Sequence, residues 1–278
     1  MALVTTVAGL AGLQRYYATG DPYGVVTFFR YPNAFFTLLF AGTEVGFSWY
    51  ARRQFLQKDT LRSAWTLLSL SAMAHFAGRL LNVIGSAILT DTASSAVSEA
   101  GQVIGGPLQF ALLLLGLIRV ASRFRRLALC RHLKKVDYLL LASVGALTIR
   151  TLLAIPQWLA AGSSVTWSRI LLWTSDPLLL SLLVVAIFIR RGVASLGHGI
   201  LANCWRSYAA AIVLTSFASA TLWCTSCSGF PLWNSLGWYV WLLADAAFAL
   251  GPAFQVAAVE RVQMGTRILR EIGLANGL

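Results

Sequence analysis

The chain has 278 residues, a formal net charge of +12, and a composition in which 58% of residues are hydrophobic and only 12% are charged. Soluble domains usually contain about 25% charged residues, and a water-soluble fold of this size could not bury so much apolar surface. The composition therefore excludes soluble enzymes, disordered regulators and secreted disulfide-bonded scaffolds, and it predicts a membrane protein.

Seven stretches of the chain are long and apolar enough to cross a hydrocarbon core, which needs about 20 helical residues. In chain order they are 27–51, 62–88, 99–121, 136–161, 166–190, 200–225 and 233–259. We expect residues 1–26 to form an interfacial segment or tail, and residues 260–278 to form a short amphipathic tail on the cytoplasmic side. The predicted fold is all-α, a single bundle of seven transmembrane helices over residues 27–259.

Prolines stand inside several of these spans. Pro107, Pro156, Pro177 and Pro252 lie in the third, fourth, fifth and seventh spans. A proline within a span leaves a backbone carbonyl without its usual partner and allows a kink. We therefore expect kinked helices, which open space inside a bundle.

Basic residues occur on alternate connections between the predicted spans. They follow the first, third, fifth and seventh spans, whereas connections 89–98, 162–165 and 226–232 contain no Lys or Arg. The positive-inside rule then places the N-terminus outside and the C-terminus in the cytoplasm of a multi-pass protein of the cell (inner) membrane. It also explains the net charge without a nucleic-acid partner, and the expected partners of the basic loops are anionic lipid headgroups.

Tryptophans lie near the predicted ends of several spans. Trp49, Trp65 and Trp205 stand toward the cytoplasmic ends of the first, second and sixth spans. Indole rings prefer the depth of the lipid headgroups. We therefore expect these three side chains to anchor the bundle at the inner interface.

Ionisable residues recur at similar depth in four spans. A rise of about 1.5 Å per residue places Arg79, Arg150, Asp176 and Asp245 near the midplane, with His75 one turn from Arg79 on the same face. Charged side chains inside a bilayer are costly and usually face the bundle interior. This belt is predicted to be a structural ion-pair network, the polar lining of a ligand site, or both.

Two further polar features stand apart from the belt. Glu44 lies deeper in the first span, toward the cytoplasm, and is interpreted as a hydrogen-bonded acid or as an inner gate or proton-relay group. Cys224 and Cys227 form a C-x-x-C sequence at the outer end of the sixth span. Redox-active pairs of this kind stand near a helix start, so these cysteines are candidates for a simple disulfide or for free thiols.

The sequence offers little support for catalysis or for a resident cofactor. All three lysines, Lys58, Lys134 and Lys135, fall in predicted cytoplasmic loops, which argues against a covalently bound retinal. The three histidines are too scattered for a His-based metal site, so no metal is expected. No phosphate-binding loop or hydrolase motif occurs, and the identity of any cofactor stays open.

Three functional hypotheses remain. The favoured one is a transporter or sensor-like bundle that binds a small molecule or ion, with His75, Arg79, Arg150, Asp176 and Asp245 lining the site. The alternative is a non-catalytic subunit of a larger membrane complex, or a homo-oligomer, because the chain has little extramembrane mass. An intramembrane enzyme is the weakest hypothesis, since only the cysteine pair and scattered polar residues support it.

Overall fold

The computed structural model describes most of the chain. The described residues are 22–56, 59–87, 91–126, 171, 173–194, 199–228 and 231–275, with isolated positions between 135 and 153. Within them the elements are α1 (Pro22–Arg53), α2 (Thr60–Ala87), α3 (Asp91–Val103), a π-helical turn (Ile104–Leu108), α4 (Gln109–Arg126), α5 (Ser175–Ala194), α6 (Ile200–Ser228) and α7 (Pro231–Ala275). Since α3, the π-helical turn and α4 follow one another without a break, the described residues form six continuous helical stretches.

The all-helical class predicted from the sequence is confirmed for the described residues. Three of their helices are long and apolar enough to cross a membrane, over Leu61–Gly85, Ser95–Arg123 and Tyr239–Met264. The predicted fourth span, 136–161, lies outside the described residues apart from isolated positions. The structure is therefore all-α with three candidate membrane-spanning helices.

The helices run beyond the predicted spans. The connection at 89–98, predicted as a loop, is largely helical because α3 begins at Asp91, and α7 continues past residue 259 to Ala275. An apolar run indicates only the part of a helix that could cross a bilayer. The Glu, Arg and Leu residues after position 259 are strong helix formers and continue α7 beyond the apolar run.

Local sequence signals explain where several helices begin. Pro22 and Pro231 occupy the first positions of α1 and α7, where the missing N–H has no intrahelical partner to lose. Asp59 caps α2, because its Oδ1 accepts a hydrogen bond of 2.8 Å from the backbone N–H of Leu61. Pro177 lies in the first turn of α5, where proline is tolerated.

The helices pack in a closed cycle around one apolar core. α1 contacts α2 and α7, α2 contacts α3 and α4, and α5 lies between α4 and α6, which packs against α7. The largest fully buried apolar side chains include Trp65, Tyr208, Leu68, Leu113, Leu117, Leu182, Ile189 and Ile212. This arrangement leaves α1, α2 and α7 to surround the polar residues described below.

Two of the three tryptophans expected at the inner interface belong to this core instead. Trp65 and Trp205 are 1% and 4% exposed, and their rings lie 6.1 Å apart between centroids. Trp205 also stacks on Tyr208. These rings face neighbouring helices because α2 and α6 turn their aromatic faces toward each other, whereas Trp49 stays exposed and lies against Arg52.

Glycines allow α2 to approach the α3–π segment closely. A Cβ atom on Gly78 would overlap the backbone of Gly105, and one on Gly101 would lie 2.9 Å from the carbonyl oxygen of Gly78. Small residues let helix backbones approach closely within membranes. The crossing therefore sets the position of Arg79, the residue that follows Gly78.

Candidate functional site

Four ionisable side chains from three helices meet inside the bundle. Glu44 comes from α1, His75 and Arg79 from α2, and Asp245 from α7. His75 Nδ1 lies 2.9 Å from Glu44 Oε2, and His75 Nε2 lies 3.2 Å from Asp245 Oδ1. Arg79 Nη2 donates to the same Asp245 oxygen at 3.1 Å. We call Glu44, His75, Arg79 and Asp245 the charged cluster.

Helix geometry brings these groups together. His75 and Arg79 are four residues apart on α2, so their side chains share one face of that helix. Because α1 packs against both α2 and α7, Glu44 can reach the imidazole from one side while Asp245 reaches it from the other. Phe248, nearly one turn after Asp245, contacts the His75 ring edge-on with centroids 6.0 Å apart. The imidazole is therefore held between polar and aromatic neighbours.

The cluster is almost completely enclosed by protein. The side chains of Glu44, His75 and Asp245 are 3%, 2% and 3% exposed, whereas that of Arg79 is 18% exposed. The Arg79 guanidinium lies 4.7 Å from the centre of the Trp241 ring. Arg79 and Trp241 thus cover the more open side of the cluster.

One oxygen of the cluster has no hydrogen-bond partner among the described residues. Asp245 Oδ2 is buried and makes no hydrogen bond to the residues that the structure describes, although Oδ1 contacts both Arg79 and His75. A buried acceptor without a donor costs about 1–3 kcal/mol, and more when the acceptor is charged. A ligand would therefore gain the most binding free energy by donating a hydrogen bond to this oxygen.

The structure brings together some of the residues that the sequence singled out. His75, Arg79 and Asp245 belong to one cluster, and Glu44, placed nearer the cytoplasm by the sequence, joins them through its bond to His75. Asp176 is exposed in the first turn of α5. Arg150 and the side chains of Cys224 and Cys227 lie outside what the structure describes.

Sequence reasoning missed two aromatic neighbours of the cluster. Trp241 stands four residues before Asp245 on α7, so the i, i+4 relation could have placed it above the carboxylate. Tyr208 on α6 contacts Phe248, whose ring in turn contacts His75. No local pattern could have indicated this second contact, since it depends on how α6 and α7 pack.

The donor set does not suggest a metal centre. Among the described residues, no group of three or more His, Cys, Asp and Glu side chains is arranged to hold a metal ion. One of the four cluster members is an arginine, whose guanidinium has donors only and cannot serve as a metal ligand. The chemistry available is ion pairing, hydrogen bonding and proton exchange.

Replacing the tryptophan beneath Arg79 tests how firmly the open side is held. Trp241→Leu removes the ring that the guanidinium faces and is expected to lower the free energy of unfolding by about 1–2 kcal/mol. The measurement is denaturant unfolding of the purified protein in detergent micelles. Trp49→Leu removes an exposed ring beside Arg52 and should cost about half as much or less. Equal losses for the two variants would contradict a special role for Trp241.

Neither a protein-family model, nor a curated protein, nor a solved structure matches this chain.

Proposed function

We propose that this chain is an integral protein of a cell membrane that binds a small molecule or ion at the charged cluster, in the manner of a transporter or sensor. The observation that carries the proposal is Asp245 Oδ2, a buried carboxylate oxygen without a hydrogen-bond donor among the described residues. The bundle is proposed to have seven transmembrane helices, with the N-terminus outside and the C-terminus in the cytoplasm.

The outer surface of the helices supports the membrane location. Large apolar side chains are exposed along several helices, among them Phe35, Leu39, Leu115, Phe217 and Leu250. Exposed apolar area on this scale would aggregate in water and is suited to lipid chains. Basic Arg52 and Arg53 close the last turn of α1, where anionic headgroups would meet them on the proposed cytoplasmic side.

The charges of the cluster define the kind of ligand. With a neutral imidazole, Glu44, Asp245 and Arg79 sum to one negative charge, which is costly to keep at membrane depth. A ligand that brings a positive charge or a hydrogen-bond donor to Asp245 Oδ2 offsets this cost. The proposed ligand class is therefore a small cation or a small donor-bearing molecule.

The exposed edge of the cluster indicates the route of entry. Arg79 is the most exposed of the four cluster residues, and it lies over Trp241 rather than being enclosed by other charges. On the proposed topology, Arg79 is closer to the outer surface than His75 by about 6 Å, one turn of α2. A ligand would reach Asp245 from the outer side by displacing the arginine side chain.

Native mass spectrometry of protein extracted from its own membrane tests the proposal. We expect a bound species of defined mass on the unaltered chain, and its loss from Asp245→Asn, which replaces the unpaired oxygen by an amide donor of the same size. Glu260→Gln removes an exposed acid from the same helix and should keep the species. Thermal unfolding checks that each variant is folded.

Three outcomes would contradict the proposal. If no bound species is found on the unaltered chain, the proposal that a ligand binds is contradicted. If folded Asp245→Asn keeps the species, the assignment of the site to Asp245 is contradicted. Polypeptides that copurify at fixed stoichiometry without a small ligand would instead favour the complex-subunit hypothesis. In that case the charged cluster would serve packing alone.

A further inference from the structure

The two ring nitrogens of His75 have partners of different kinds. Nδ1 faces the Glu44 carboxylate, an acceptor, at 2.9 Å. Nε2 faces an acceptor and a donor together, since Asp245 Oδ1 lies 3.2 Å away and Arg79 Nε lies 3.3 Å away. An ionised carboxylate can accept hydrogen bonds but cannot donate them, and a guanidinium can donate them but cannot accept them.

These partners decide which nitrogen can exchange a proton. Nδ1 keeps its hydrogen in either charge state because Glu44 Oε2 can only accept it. Nε2 has a satisfied arrangement in both states. When it carries a hydrogen it donates to Asp245 Oδ1, and when it does not its lone pair accepts from Arg79 Nε. The protonated state leaves Arg79 Nε without its acceptor on the ring, so the arginine side chain shifts between the two states while the ring and the helices keep their places.

We propose that the charged cluster binds and releases one proton at His75 Nε2. Binding forms an N–H bond from the Nε2 lone pair and makes the imidazole positive. Release returns the electron pair to Nε2, where Arg79 Nε donates to it, and the proton leaves to water. With the proton bound, Glu44 and Asp245 balance His75 and Arg79, so the cluster is neutral; without it, one negative charge remains.

The surroundings of His75 contain the groups that must respond to this proton. α1 contributes Glu44, α7 contributes Asp245, α2 itself contributes Arg79, and α6 contributes Tyr208, which lies near Glu44. Nε2 is on the side of Arg79, the more exposed member, whereas Nδ1 points to the enclosed Glu44. Exchange with water therefore occurs past Arg79.

The inference extends the proposed function and rests on it in one respect, since the cluster must be open to exchange with an aqueous side. It adds a competitor for the ligand. A proton on Nε2 places a positive charge beside Asp245, so it opposes the binding of a cation at Asp245 Oδ2. Ligand binding and proton release are then coupled at one carboxylate.

Nitrogen-15 NMR of histidine-labelled protein in lipid nanodiscs tests the proton site. His132→Gln and His198→Gln leave His75 as the one labelled histidine. We expect both nitrogens to be protonated at low pH, and Nε2 alone to lose its hydrogen as the pH rises. A ring that stays doubly protonated wherever the bundle is folded, or that loses the hydrogen of Nδ1 instead, would overturn the inference.

Asp245→Asn in the same background provides a second readout. Loss of the carboxylate charge beside Nε2 should lower the pH of half-deprotonation by about 1–3 units, a tenfold to thousandfold weaker hold on the proton. Glu260→Gln should leave it unchanged, and an unchanged value in folded Asp245→Asn would overturn the inference. If a ligand is bound but His75 does not exchange its proton, this inference is overturned and the proposed function stands. If His75 exchanges its proton but no ligand is found by mass, the proposed ligand is overturned and this inference stands.

Discussion

Asp245→Leu is expected to lower the free energy of unfolding by about 3–5 kcal/mol, because it leaves buried positive charge without its acid. Asp245 Oδ1 is shared by Arg79 at 3.1 Å and His75 at 3.2 Å, so one substitution removes both contacts. Leucine has the same number and branching of side-chain heavy atoms as aspartate but makes no hydrogen bond. Equilibrium unfolding in detergent micelles, followed by circular dichroism, measures the loss.

A matched control and a double variant separate charge from packing. Glu260→Leu changes an exposed acid on the same helix and is expected to alter stability by about 0.5 kcal/mol or less. Arg79→Met combined with Asp245→Leu removes both partners. The pair should be less destabilised than the sum of the single variants, with a coupling of about 1–3 kcal/mol. Additive losses would contradict a direct ion pair.

The outcome bears on the two interpretations of the belt, which are not exclusive. A large loss in Asp245→Leu shows that the charged cluster stabilises helix packing between α1, α2 and α7. Binding of a ligand is decided by the mass measurement on Asp245→Asn, which keeps the shape of the side chain. If the cluster serves packing alone, Asp245→Leu lowers the free energy of unfolding and the mass measurement shows no bound ligand.

Gly78→Ala is expected to lower the free energy of unfolding by about 3 kcal/mol, the upper part of the usual cost of overpacking. The added Cβ would overlap the backbone of Gly105, and backbone cannot rotate away as a side chain can. The α3–π segment would have to move from α2, and Arg79 would move with it. The same unfolding measurement applies.

Gly46→Ala is the control for this substitution. Gly46 lies in α1, and a Cβ atom there would have no atom of the described residues within 4 Å, so alanine meets open space. There the helix propensity of alanine should stabilise the protein by about 0.5–1 kcal/mol. If Gly78→Ala were as stable as Gly46→Ala, the close approach of α2 to the α3–π segment would be contradicted.

The predicted belt and the observed cluster have three residues in common. A helix rises by a constant amount per residue, so counting along each span placed His75, Arg79 and Asp245 at similar depth. The same count placed Asp176 with them, yet it is exposed on α5. Depth is one coordinate of a residue in a bundle, whereas contact also requires the right face of the right neighbour.

Glu44 also shows that the position of a residue along its helix does not predict its contacts. Its position along the first span indicated a group nearer the cytoplasm, and its side chain nevertheless bonds to His75 at 2.9 Å. On the proposed topology His75 is one turn closer to the cytoplasm than Arg79, and a glutamate side chain spans part of the remaining distance. The pairing depends on α1 lying between α2 and α7, which the sequence does not state.

By itself, then, the sequence determined that the described chain is helical, that it is too apolar for a soluble fold, and that His75 and Arg79 share one face of a helix. These properties follow from composition, from the length of apolar runs and from the periodicity of a helix. Only the tertiary structure decided that Glu44, His75, Arg79 and Asp245 form one cluster beside Trp241. The rotation of each helix and the choice of its neighbours come from packing, such as the crossing of Gly78 and Gly105, and no pattern within one helix encodes them.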